Sequence, residues 1–198
     1  DQVYSGANHE YDTARKAVRK TYGEILTHHH RPIHAYFHST CGNHTESAQE
    51  GWGMRLSYLP GSNCGHCNKS NRHRWEAEIP SKTINRAFRK LLGEPVREMK
   101  IVSRSKTGRM KKVAIIGKSK RKVVTGVDIR RLIGYGQLKS TLVTEMSKTR
   151  KGFAFKGRGS GHGVGMCQWG AKGMADKGHS AEQILGHYYP KTNVRRMY

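Results

Sequence analysis

Gly157-Arg158-Gly159-Ser160-Gly161-His162-Gly163-Val164-Gly165-Met166-Cys167-Gln168-Trp169-Gly170 is the most informative run of this chain. Six of its residues are glycine, and glycine admits positive φ and lets the backbone come close to whatever Arg158, His162 and Gln168 touch. Ala171, Met174, Ala175 and Ile184 follow at helix-like spacing, so the run feeds a helix N-terminus, where free N–H groups and the dipole favour an anion. The plainer reading of the same composition is a flexible loop.

Working outward, 198 residues suit one compact domain, with room for an embedded subdomain. No apolar run approaches the roughly 20 residues that span a bilayer. Neither does Asp1 open a signal-peptide pattern, so the start reads as a mature or trimmed N-terminus. Lys and Arg outnumber Asp and Glu by 37 to 14, a net charge of +23, which calls for a polyanionic partner or setting. No zinc-finger helix, helix-turn-helix, RNP-like motif or basic-aromatic stripe is present, which argues against nucleic acid. Acidic cell-wall polymer answers the same electrostatics, and a merely solvated basic face is the bland alternative.

The four cysteines are informative by position. Cys41-Gly42-Asn43-His44 and Cys64-Gly65-His66-Cys67 are two short turns of one design, each with two soft ligands three positions apart. Together they predict a closed, structural zinc site of Cys41, His44, Cys64 and Cys67, with His38 and His66 as substitutes for His44. The alternative is a disulfide, Cys64–Cys67 or Cys41 with one of these. Cys167 reads as a small buried hydrophobe. The run His28-His29-His30 reads as a solvated turn.

Pattern predicts an α+β fold: a mixed or antiparallel sheet with short helices, a zinc-tied loop and an inserted small basic β-rich subdomain. Asp12 caps a helix through Lys20, with Ala14, Ala17 and Val18 on one face. Strands are expected over Glu24–Thr27 and Ile33–Phe37, then a loop without regular structure from Ser39 to Arg74. Ser81 caps a helix through Leu92 that shows Ile84, Phe88, Leu91 and Leu92 on one face. Period-2 segments at Val96–Arg104, Met110–Ile116 and Lys122–Thr125 give the basic sheet. A short helix over Asp128–Leu132 and strands over Thr141–Met146 and Gly152–Phe155 lead into the glycine run. The inserted subdomain spans 81–150.

Four motifs resemble the SpoIID/LytB domain family: Tyr36-Phe37-His38-Ser39-Thr40-Cys41-Gly42, then Thr45-Glu46-Ser47, then Val127 to Leu132 with Leu138-Lys139-Ser140-Thr141, and above all Gly157 through Tyr189-Pro190. The resemblance implies a peptidoglycan lytic transglycosylase that cuts glycan strands, typically ones stripped of stem peptides, in the periplasm, the cell wall or a secreted form. Some members carry zinc between the same two loops. It also implies a general-acid glutamate ahead of the element that here is Gln2-Val3-Tyr4-Ser5-Gly6, so the expected acid is absent from this chain.

Cleaving a glycosidic bond through an oxocarbenium-like transition state needs a carboxylic acid of raised pKa, and in this reaction the same group can then serve as base. Glu46 is the acidic residue beside a recognisable motif and is the catalytic candidate, with structural hydrogen bonding the bland alternative. The expected cleft lies between His38-Ser39 and the turn at Gly161 to Gln168. Its binding residues would be His38, Ser39, Thr45, Gly161, His162 and Gln168, with His162 and Gln168 bonding sugar hydroxyls or N-acetyl groups. Trp52 and Trp169 are stacking candidates, Trp169 reading rather as core. A non-catalytic glycan-binding or scaffold module on the same domain is the competing reading.

Overall fold

The structure is a computed structural model that describes residues 11–198, so the Gln2-Val3-Tyr4-Ser5-Gly6 element lies outside the described residues. In chain order the first elements are α1 (Asp12–Lys20), β1 (Glu24–His28), β2 (Arg31–Pro32), β3 (Phe37–His38), α2 (Ala48–Trp52), β4 (Arg74–Pro80), α3 (Ser81–Leu92), β5 (Glu98–Arg104) and β6 (Met110–Ile116). They continue with β7 (Arg121–Thr125), α4 (Gly126–Ile133), β8 (Val143–Lys148), β9 (Gly152–Arg158), β10 (Met166–Cys167), α5 (Gln168–Ala175), α6 (Ala181–Tyr188) and β11 (Asn193–Arg196). Antiparallel sheets beside short helices make the architecture α+β.

Two compact units divide the chain. One holds α1 and the three-stranded sheet β11-β1-β2, built from the residues up to His34 and from Lys191 to Tyr198. Its register pairs Ile25 with Arg195 and Leu26 with Val194. Helix α1 buries no residue, so the face of Ala14, Ala17 and Val18 is exposed. Asp12 is the first helical residue rather than the cap, and pairs with Arg15 one turn on.

Ala35–Pro190 form the other unit. Its core joins sheet β4-β9-β8 to sheet β5-β6-β7 through α3 and α4, with Trp75, Ile79, Ile84, Phe88, Val113, Ile115, Ile129, Phe153 and Phe155 all buried. Strict alternation explains β4: Trp75, Ala77 and Ile79 turn inward while Arg74, Glu76 and Glu78 face solvent. Helix α3 follows the predicted span, but Pro80 occupies the cap position and Ser81 begins the helix. Its buried stripe is Ile84, Phe88 and Leu92, whereas Leu91, 40% exposed, lies off it, because residues i, i+4 and i+8 share a face and i+7 falls at its margin. Helix α4 starts two residues before the predicted span, where the Thr125 hydroxyl accepts from Asp128 N at 3.0 Å. Of the expected strand over Ile33–Phe37 only Phe37 is in a strand, as the first residue of β3, and residues 33–36 run without regular structure between β2 and β3.

The segment from Ser39 to Arg74 carries one short helix, α2, capped by Ser47 and closed by Gly53 in the left-handed region. Parallel pairing of β3 with β10 brings Met166 beside Phe37 and Cys167 beside His38. Those two strands carry the start of this loop and the end of the glycine run to one place.

Deleting the buried ring in Phe88→Ala should cost about 3–5 kcal/mol of stability, whereas Val123→Ala on the exposed edge strand β7 should cost less than about 1 kcal/mol. Urea midpoints of the two variants check this.

Candidate functional site

Four sulfurs converge where the loop meets the glycine run. Cys41, Cys64, Cys67 and Cys167 are all buried, and their Sγ atoms lie within 4.8 Å of one another. Cys41 and Cys67 Sγ are 3.5 Å apart, and all four cysteines are free of disulfides. A regular tetrahedron of thiolates around an ion with bonds near 2.3 Å has edges of about 3.8 Å, so the quartet has the donor chemistry and spacing of a structural metal site.

Three of its members are those the sequence pointed to. The fourth is not His44, whose Nδ1 bonds the Thr45 carbonyl at 2.6 Å on the exposed side of the turn. Cys167 takes that place. Asn43, at φ 101°, bends the Cys41 turn in the left-handed region and His44 leaves outward. The β3–β10 pairing meanwhile carries Cys167 in from a distant part of the chain. The alternative histidines do not join either: His38 and His66 are absent from the sulfur cluster.

The sulfurs are held by backbone and by one phenol. Cys167 Sγ accepts from Cys41 N and from Gly170 N, both at 3.2 Å. The second bond makes Cys167 the cap of α5. The helix N-terminus foreseen as an anion site thus faces a sulfur of its own chain, and its dipole favours the thiolate. Tyr188 Oη sits 3.1 Å from Cys64 Sγ. Hydrogen bonding from Cys167 and then Cys41 pushes the Cys67 thiol well below its ordinary value, while bonds with Cys167 and then Cys64 and Cys67 push Cys41 up.

Between the loop and the glycine run the expected cleft is closed. Thr40 pairs antiparallel with Ser160, and Glu46 pairs parallel with Val164, its N–H reaching the Gly163 carbonyl at 2.7 Å. At Gly161, φ 111°, an added Cβ would stand 2.7 Å from His38 Cβ; at Gly163, φ 86°, it would stand 2.6 Å from Arg109 Nη2. Both positions need glycine twice over, for the backbone angle and for the space. The run is a docked ribbon, and the flexible-loop alternative falls with that observation.

Burial decides what each predicted site residue can do. His38 is 1% exposed, and its Nδ1 donates to Val164 O at 3.1 Å, leaving Nε2 without a protein partner among the described residues. Burial first, and then the Arg109 charge, pull its pKa down to about 3. Thr45 is buried, its hydroxyl accepting from Ser62 N at 2.7 Å. His162 is half-buried with both nitrogens engaged by backbone: Nε2 donates to Phe37 O at 2.8 Å and Nδ1 accepts from Val164 N at 3.1 Å. The ring is thereby a fixed neutral tautomer, lowered in pKa by burial, and it offers a ligand its face rather than a hydrogen bond. Ser39 and Gly161 are half-buried and Gln168 is exposed at the start of α5.

Glu46 is 3% exposed and fully committed. Its carboxylate accepts from Ser105 Oγ at 2.5 Å, Thr107 Oγ1 at 2.6 Å and Ser47 N at 3.1 Å. These bonds tie the loop to the turn between β5 and β6. The same turn carries Arg109, also buried, which donates through Nη2 to Cys41 O at 2.8 Å and His44 O at 3.3 Å.

Sequence reasoning missed Arg109 and quoted Tyr36 only as part of a motif, with no role at the site. Tyr36, Trp52 and His162 form a chain of rings, with centroids 4.8 Å apart for Tyr36–Trp52 and 5.1 Å for Trp52–His162. No local pattern announces Arg109 among 37 basic residues.

With this geometry in hand, residues 57–165 match the family model described as Domain of unknown function (DUF8618). Stage II sporulation protein D of Bacillus subtilis is 31% identical over 196 residues, which cover 93% of this chain and 52% of that protein. The chain belongs to this domain family and is SpoIID-like. An uncharacterized protein of Brachyspira hyodysenteriae is 32% identical over 195 residues, 98% of this chain and 51% of that one. The Amidase enhancer of Bacillus subtilis is 27% identical over 243 residues, 98% of this chain and 34% of its own length. The SpoIID-like chain therefore spans about half the length of the first two of these relatives.

An unfolded chain protonates His38 near pH 6.5 whereas the folded chain keeps it neutral down to about 3. The unfolded state thus binds more protons in that window, and stability present above pH 6.5 drains away as the pH falls, by up to about 1.4 kcal/mol per pH unit. His38→Asn, which retains a donor for Val164 O, should flatten this slope relative to the native chain in denaturation curves taken across that range.

Proposed function

We propose that this SpoIID-like domain engages peptidoglycan glycan strands outside the cytoplasm and takes part in their cleavage by the lytic transglycosylase reaction, leaving 1,6-anhydro-muramyl ends. The relatives' names, stage II sporulation protein D and amidase enhancer, support a cell-wall-related role. The net charge of +23 suits an acidic wall polymer. No helix of the described residues is long and apolar enough to cross a membrane.

One observation carries the reading: the ring chain Tyr36–Trp52–His162 lies along the glycine run, half-buried, with its histidine locked neutral by two backbone bonds. Rigid ring faces of this kind fit the apolar faces of sugars, and the polar rim from Ser39 to Gln168 supplies hydrogen bonds for hydroxyls and N-acetyl groups. Because Glu46 spends its carboxylate on Ser105, Thr107 and Ser47, this reading routes no proton through it. The resemblance implies a donor in a segment ahead of Gln2. The same commitment of Glu46 favours the second reading, a glycan-binding or scaffold module whose chemistry is done elsewhere.

For the sulfur quartet we propose structural zinc. Four thiolates are a closed donor set with no open position for substrate, and backbone N–H groups on Cys167 hold part of the surrounding shell. Zinc would fasten the loop to the first turn of α5, contributing stability and no step of the reaction.

Incubating purified sacculi with the chain separates the two readings. Release of 1,6-anhydro-muropeptides establishes the enzyme, and sedimentation with sacculi without release establishes the module. Sacculi that neither bind nor release sink both. Elemental analysis should find about one zinc per chain, retained in His44→Ala and lost in Cys167→Ser, whose thermal midpoint should fall by roughly 10 °C or more.

A further inference from the structure

Arg130, on α4, is anchored without being neutralised. Its Nε donates to Leu138 O at 3.0 Å, and its Cζ stands 4.6 Å from the centroid of the Tyr135 ring. The terminal Nη1 and Nη2 have no protein partner among the described residues, and none of the ion pairs there includes Arg130. Asp128, the nearest acid along the helix, is taken by Arg131 at 2.9 Å. Guanidinium fork, stacked ring and bonded Nε together make a preset bidentate donor, for which little side-chain freedom remains to be lost on binding.

The backbone that anchors the fork is tied to the glycine run. Leu138, which holds Arg130, is followed by Lys139, whose carbonyl accepts from Gly161 N at 3.0 Å, one residue before His162. The Lys139 ammonium is turned back to the Gly136 carbonyl. Burial first, and then the Arg130 and Arg109 charges, lower the pKa of the His162 ring. A half-buried cation whose charge reaches the His162 ring, paired with no carboxylate among the described residues, is an incomplete electrostatic arrangement that an anionic ligand group completes.

We propose that Arg130, braced by Tyr135, is a specificity-determining residue that receives a carboxylate of the glycan lying on Tyr36, Trp52 and His162. This rests on the glycan reading above and adds to it the charge of the ligand and the residue that reads it. The carboxylate has two possible sources with one chemistry, the sugar's own lactyl acid or the end of an attached peptide.

Calorimetric titration of the full chain tests this with four soluble probes: a neutral N-acetylglucosamine oligosaccharide, a muramyl glycan with free lactyl carboxylates, the same glycan with those carboxylates converted to amides, and a peptide-bearing glycan. The free-carboxylate glycan should bind at least about tenfold tighter than its amide, as a charge-assisted bidentate pair requires. Arg130→Gln should bring that ratio to about one, and Arg130→Lys, which keeps the charge but not the fork, to an intermediate value. Tight binding of the peptide-bearing glycan assigns the carboxylate to the peptide, and weak binding assigns it to the sugar; either supports Arg130 as the reader. A native chain that binds acid and amide alike, or a ratio that survives Arg130→Gln, overturns the proposal while glycan binding stands. If no probe binds, the glycan reading itself falls and carries this one with it. Circular dichroism of the variants guards against loss of the Leu138 anchor, and Tyr135→Ala, which should lower the ratio with the anchor intact, gives an independent arm.

Discussion

The meeting of four cysteine sulfurs is the constraint on which the larger unit's site depends. Cys41 and Cys167 are 126 residues apart in the chain, yet one donates its N–H to the sulfur of the other. Such a contact closes a very long loop, and its cost in chain entropy must be met by interactions that are strong locally. The buried sulfurs, the N–H groups aimed at Cys167 and the Tyr188 hydroxyl supply them. Once the quartet is in place, β10 lies parallel to β3, and α5 begins with its first turn already capped.

Around that junction the chain places polar groups where water cannot reach them, and each is handled differently. Glu46 is saturated by three donors from its own chain. Arg109 keeps its charge in the interior by facing two carbonyls and the Glu46 carboxylate, although its Nε and Nη1 find no protein partner. The two histidines beside it stay neutral because burial first, and neighbouring cations after it, disfavour their protonated forms. The outcome is a platform whose outward features are ring faces and a few rim groups.

Local pattern was a good guide wherever neighbours in sequence decide the outcome. Helix α3 and strand β6 occupy the predicted spans, since amphipathic periodicity and strand alternation are local properties. Caps were misjudged by one residue, because Pro80 and Ser81 both suit the start of a helix and only the backbone angles separate them. His44 and Cys167 were exchanged for a different reason. Spacing within a turn says which side chains can share an ion but not which way the turn opens, and nothing near Cys167 in sequence reveals that it meets a turn so far upstream. The count of four cysteines was the available signal, and the attraction of a matching histidine masked it.

By itself the sequence determined that the chain is α+β, that it is strongly basic and that cysteines in two turns belong together. These follow from composition, periodicity and short-range spacing, which folding does not alter. Tertiary structure alone decided that the glycine run and the Tyr36–Ser47 segment touch with no slot between them, that His162 turns a face rather than a nitrogen outward, that Glu46 is spent on internal bonds, and that Arg130 is left with an open fork. Each of those depends on which distant backbone atoms fill a group's hydrogen-bonding capacity and how much solvent is excluded, and neither quantity is carried by residue type or order.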